Sequence, residues 1–203
     1  MSTFNILAHA STLIFGVAII WLAQPGSSLF SYHPALMTLG LMVLVPEGIL
    51  LMTDKRVPLK YKITIHWICS AVGVTLGFLG FLAIYINKEN KGAGHFLTWH
   101  GTFGLITLVT LTMVPMGGIG AKYSVAISKI VPIKPKFIKQ VHRTGGLVAS
   151  IGIFATVILS LYSSWFQSVI QESITTSWLM IALAVLPRLY LVSVPADKTM
   201  NKS

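Results

Sequence analysis

Ile63-Thr-Ile-His-Trp-Ile-Cys-Ser-Ala-Val-Gly-Val-Thr-Leu-Gly-Phe-Leu-Gly-Phe-Leu-Ala-Ile-Tyr-Ile86 decides the fold. It is continuous and apolar, and slightly longer than the ~20 residues that carry a helix across a hydrocarbon core of about 30 Å. A membrane-spanning barrel strand would alternate apolar and polar over about ten residues. This run does not alternate, and unpaired peptide groups are costly in lipid, so the segment predicts a transmembrane helix.

Five further runs of similar length flank it: Phe4–Leu22, Pro34–Met52, Phe96–Met116, His142–Tyr162 and Ser177–Val194. Together they predict an all-α polytopic membrane protein with six transmembrane helices, forming one domain over residues 1–203. Composition agrees. Hydrophobic residues make up 54% of the 203 and charged residues only 10%, against about 25% charged in a soluble domain. Mean hydropathy is +0.78. Such a chain can neither cover a water-facing surface with charge nor remain disordered. No basic residue precedes the first run, so it reads as a span and not as a cleaved signal. The single cysteine, Cys69, excludes an intrachain disulfide and a thiolate metal cluster.

A net charge of +10 would suggest nucleic acid if it were not so unevenly placed. Lys55, Arg56, Lys60 and Lys62 lie between the second and third runs. Lys122, Lys129, Lys134, Lys136, Lys139 and Arg143 lie around the fourth loop, and Lys198 and Lys202 in the C-terminal tail. The opposite side has only Lys88 and Lys91, a ratio of twelve to two. The positive-inside rule then places both termini and the basic loops in the cytoplasm. The charge reflects topology and an anionic partner, and nucleic acid is not expected.

The histidines carry the chemistry, since ionisable groups inside a membrane are functional suspects by default. His33, His66, His100 and His142 each sit at or near the start of runs two to five, spaced by 33, 34 and 42 residues. Runs two and four enter from the outer side, so His33 and His100 match in depth there. Runs three and five enter from the cytoplasm, so His66 and His142 match near that face. In an up-down four-helix bundle each pair is diagonal and faces across the interior. Two such pairs suit axial ligation of two haem irons, an electron path across the bilayer. A proton path through the same histidines, or a haem-free proton or metal-ion transporter, is the competing reading. Gly73, Gly77, Gly80, Gly101, Gly104, Gly145 and Gly146 fit either close helix packing or room for a flat cofactor. Glu47 needs a partner inside the membrane, and Arg188 is one candidate; Arg188 could also snorkel to the interface. His9 reads as a packing residue.

Three motifs extend the pattern: Gln24-Pro-Gly-Ser-Ser-Leu-Phe-Ser-Tyr-His-Pro-Ala-Leu-Met37, His95-Phe-Leu-Thr-Trp-His-Gly101 and Val141-His-Arg-Thr-Gly-Gly-Leu147. With them the chain resembles, over nearly its whole length, the eukaryotic cytochrome b561 family of two-haem transmembrane oxidoreductases, and within it the branch of cytochrome b561 domain-containing proteins. The resemblance implies two haem b groups in a core of spans two to five, one held by His33 and His100 and the other by His66 and His142. It implies an ascorbate-dependent transmembrane ferrireductase or monodehydroascorbate reductase, passing electrons from cytoplasmic ascorbate to monodehydroascorbate or ferric iron on the far side. A haem relay subunit served by a partner reductase is the variant of this reading. It implies an endoplasmic reticulum or cytoplasmic vesicle membrane and allows a homodimer. The chain departs from classical members at Glu47-Gly-Ile-Leu-Leu-Met-Thr-Asp-Lys-Arg56 and at Thr98-Trp-His-Gly-Thr102. Because ascorbate is an anion, a cationic cytoplasmic mouth is expected, with Lys62 and Arg143 as substrate contacts. His95 stands at the outer mouth as a contact for the acceptor or an iron.

Overall fold

The computed structural model describes residues 3–193. Its elements are α1 (Thr3–Ala23), α2 (Tyr32–Met37), a π-helical segment (Thr38–Leu44), α3 (Val45–Thr53), α4 (Leu59–Asn90), α5 (Trp99–Lys122), α6 (Ser124–Ile130), α7 (Pro135–Ser160), α8 (Ser164–Val169) and α9 (Ile174–Ser193). No strand occurs among the described residues. Five segments are long and apolar enough to cross a membrane: Asn5–Ala23, Tyr32–Thr53, Leu59–Asn90, Trp99–Lys122 and Pro135–Ser160. The sixth expected span forms α9. Its last residue, Val194, the Arg188 side chain and the tail lysines Lys198 and Lys202 lie outside the described residues.

Helix ends reach further than hydropathy alone implies. α4 begins directly after Pro58 and stops at Lys91, before Gly92 with φ 61°. α7 begins at Pro135, seven residues ahead of the apolar run, because a proline suits a first helical turn. The fourth loop carries α6 and then breaks at Pro132 and Pro135.

The chain divides into two compact units, residues 1–95 with 157–203, and residues 96–156. In the first unit, α1 packs on α9, and α4 packs along α2, the π segment and α3. Here α2, the π segment and α3 form one 22-residue apolar rod, Tyr32–Thr53. Pro46 explains its irregular middle. Proline cannot donate to the carbonyl four residues back and its ring clashes there. Wider turns upstream relieve that clash, and the Val45 N–H bonds to Gly40 O, five residues back. At this point the rod touches α4 backbone to backbone: a methyl group on Gly73 would sit 2.6 Å from Gly40 O. A methyl on Gly77 would meet Leu41 at 3.1 Å, and one on Gly80 would meet the His33 carbonyl oxygen at 3.3 Å. In α4, therefore, the glycines serve helix packing.

In the second unit, α5 and α7 meet through small residues. A methyl on Gly152 would lie 2.8 Å from Thr107 Oγ1, and Thr107 shares a 3.2 Å hydroxyl hydrogen bond with Thr156. Leu108, Leu111, Ala149 and Ile153 are buried. By contrast, nothing lies within 4 Å of a methyl built on Gly145 or Gly146.

Gly73→Ala is therefore expected to destabilise the protein by about 1–3 kcal/mol, the usual cost of overpacking. Gly145→Ala should be near neutral. Thermal unfolding of the two variants in detergent checks the contrast.

Candidate haem-ligating histidines

The helix boundaries sort the four histidines into pairs. His33 is the second residue of α2, and His100 the second of α5. His66 is the eighth residue of α4, and His142 the eighth of α7. At a rise of about 1.5 Å per residue, the first two sit at their helix starts and the other two about 10 Å along.

The turn that presents His33 is tied internally. Buried Ser31 accepts from Gly26 N–H at 3.1 Å and donates to Ser28 O at 2.7 Å. Gly26 has φ 99°, a conformation that suits glycine in this tight entry. Thr98 caps α5, its side chain accepting from Gly101 N–H at 3.1 Å, which fixes the turn carrying His100.

Three of the rings are then held through Nδ1 by a backbone carbonyl. His33 Nδ1 is 3.0 Å from Gly80 O, His66 Nδ1 is 3.2 Å from Gly48 O, and His100 Nδ1 is 3.0 Å from Thr156 O. A carbonyl only accepts, so Nδ1 carries the proton and the lone pair is on Nε2, the arrangement of a metal-ligating histidine. The His142 ring meets the backbone of Val114 and packs on Gly118, where a methyl would come within 3.2 Å of its Cε1. Two of the acceptors, Gly80 and Gly48, are themselves close-contact glycines. A methyl on Gly48 would sit 2.9 Å from Cys69 Cβ and 3.4 Å from His66 Cα.

Gly146, one turn beyond His142, faces open space, so the same helix offers a ligand nitrogen and room beside it. These residues fit a flat iron-bearing group held through Nε2 nitrogens.

The sequence model of eukaryotic cytochrome b561 matches residues 32–167, a stretch that holds all four histidines. The chain belongs to the eukaryotic cytochrome b561 family. It is an integral multi-pass membrane protein, an oxidoreductase of transmembrane electron transfer with b-type haem as cofactor. Transmembrane reductase CYB561D2 of Bos taurus is 32% identical over 173 residues, covering 82% of this chain and 76% of that protein. The Homo sapiens protein of the same name is 32% identical over 167 residues, 79% of this chain and 73% of its own. Transmembrane ascorbate ferrireductase 1 of Arabidopsis thaliana is 27% identical over 112 residues, 49% of this chain and 46% of that protein.

The remaining expected contacts of this cytochrome b561 protein fall as follows. Lys62 lies one turn before His66. It is only 9% exposed, and its Nζ is 3.5 Å from Met52 O at the end of α3. Arg143, beside His142, is half-buried. His95 stacks on Tyr85 with ring centroids 4.3 Å apart, and its Nε2 is 2.7 Å from Glu89 Oε1. That nitrogen is thus already engaged by a carboxylate. His9 is not merely a packing residue: its Nδ1 lies 2.5 Å from Glu47 Oε2. Glu47, for which Arg188 was one candidate partner, is paired with His9 among the described residues, and the Arg188 side chain lies outside them. The signal was present in the sequence, since Glu47 is the one acidic residue inside any apolar run. Outside the membrane, hydrogen bonds from the Arg56 side chain and backbone N–H, with the charge of Arg56, hold the Asp54 carboxyl well below the usual carboxylate range.

Gly118→Val would crowd the His142 ring, and haem retention is expected to fall by on the order of 10-fold, as for other changes behind a metal ligand. Haem absorbance per chain, at unchanged helical circular dichroism, checks it.

Proposed function

We propose that this protein carries single electrons through two b-type haems, from cytoplasmic ascorbate to monodehydroascorbate or ferric iron on the far side. It would act as an ascorbate-dependent ferrireductase or monodehydroascorbate reductase of an endoplasmic reticulum or vesicle membrane. The observation that carries the reading is the pairing of histidines by helix position, with Nδ1 of three of them fixed on carbonyls. His33 with His100 would hold one haem, and His66 with His142 the other. The name of the Arabidopsis relative supports ascorbate and ferric iron, and the twelve-to-two basic asymmetry supports a cytoplasmic donor side with both termini there.

Held through His33, His100, His66 and His142, the haems would supply one-electron chemistry. What the chain does is hold, orient and exclude. The carbonyls at Gly80, Gly48 and Thr156 set the imidazole planes and the tautomer. The apolar helices keep water from the path. Ascorbate monoanion, on giving up one electron, also releases one proton and leaves its radical anion. Lys62 and Arg143 would attract the anion and stabilise that remaining charge. On the far side one electron converts ferric to ferrous iron, and one electron with one proton converts monodehydroascorbate to ascorbate.

Visible spectra of purified protein should show two b-type components. His33→Ala or His100→Ala should remove one, and His66→Ala or His142→Ala the other. Loss of the same component from His33→Ala and His66→Ala would break the pairing, and absence of a haem spectrum would favour a histidine-based ion transporter.

Neutralising both donor-side cations, Lys62→Gln with Arg143→Gln, should slow reduction by ascorbate on the order of 10-fold at low salt, since electrostatic steering is lost. Reduction by a small neutral donor should change little. Stopped-flow traces at low and high ionic strength, on variants with intact spectra, decide it. Equal slowing for both donors would assign these residues to the haem or to topology.

A further inference from the structure

Residues 96–156 contain six basic residues, Lys122 to Arg143, and no aspartate or glutamate. The other basic loop differs, because there Asp54 bonds Arg56 at 2.6 Å. Lys122, Lys129, Lys134, Lys136 and Lys139 are all exposed. This cationic belt therefore has no counter-charge within its own unit.

Directly below it runs a furrow between α5 and α7. One cavity of about 480 Å³ is bounded by Phe137, Gln140, Thr144 and Val148 of α7 and by Thr110 of α5. A second, of about 250 Å³, continues from the same Thr110 and Val148 to Phe103 and Ala155. The shared walls make them one groove, about 27 Å long from Phe137 to Ala155 at helical rise. It is almost wholly apolar. Apart from Thr107 and Thr110 of α5, its polar groups sit at the cationic end, where Gln140 Nε2 donates to Thr144 Oγ1 at 3.4 Å. The groove's α7 wall, at positions 137, 140, 144 and 148, lies on a different face of the helix from His142 and Gly146. Beside it α6 exposes Val125 and Ile130, the latter 85% accessible, next to Lys129.

We propose that this furrow is a binding site for one anionic phospholipid. An acyl chain lies along the α5–α7 groove, Gln140 and Thr144 meet the ester region, and Lys134 and Lys136, the latter one turn before Gln140, hold the phosphate and headgroup. Charge complementarity selects the occupant. A neutral lipid would fill the groove and leave the lysines uncompensated, whereas an anionic lipid satisfies both at once. The site is separate from the electron path and independent of which donor or acceptor the protein uses.

The test is native mass spectrometry of haem-loaded protein in detergent, with equimolar dioleoyl phosphatidylserine and dioleoyl phosphatidylcholine. One phosphatidylserine per chain should be retained with a preference of roughly ten-fold. Lys134→Gln/Lys136→Gln should abolish the preference. Val148→Trp, or Thr110→Trp from the opposite wall, should reduce retention of both lipids with the haem spectrum intact. Equal retention of the two lipids by unaltered protein, or a preference unchanged in the lysine variant, would overturn the proposal. So would lipid retention untouched by both groove-filling variants, or a groove closed by a second copy of the chain with no lipid retained.

Discussion

Inside hydrocarbon there is no water to accept a hydrogen bond, so an imidazole N–H must find a protein oxygen or remain unpaired at a cost. In an all-helical bundle nearly every backbone carbonyl is already used within its helix. An imidazole reaches one only where a neighbouring helix comes close enough for its carbonyl to accept a second bond. This requirement organises the first unit. Gly80 and Gly48 are the acceptors for His33 and His66, and the contacts that admit them depend on the absence of a side chain. Close packing and ligand orientation are thus one arrangement. The glycines of α4 bring the rod near, and that nearness fixes the rings. In the second unit Thr156 plays the same part for His100.

Much of this was legible in the letters because the signals are long or local. Apolar runs of about twenty residues identify spans without reference to anything distant. The matched helix positions of His66 and His142 persist although the helix boundaries shift. α4 and α7 each begin seven residues before theirs. What could not be read were relations between helices. The partner of Glu47 depends on how α1 rotates against α3, and a packing histidine and a bonded one look the same in sequence. The glycines were ambiguous for the same reason. Gly73 and Gly146 are identical letters, yet one lies against a carbonyl and the other faces open space.

The two basic loops show that equal topology signals can differ in chemistry. At 54–62 one arginine is neutralised by its own aspartate, and Lys62 is drawn in against Met52. At 122–143 no acid is present and the lysines stand out from the surface. The positive-inside rule counts these alike, because it concerns insertion and not what each cation later touches.

The π-helical segment has a consequence for how this protein tolerates length change. It joins the two ends of a rod that both engage α4, His33 reaching Gly80 at one end and Gly48 receiving His66 at the other. Its turns set the angular phase between those ends. Removing one residue from positions 38–44 would tighten the coil and swing one end by about 100° relative to the other. Only one imidazole could then keep its acceptor. The rod works as a combination lock whose two tumblers share a shaft, and in this stretch residue number is more constrained than residue identity.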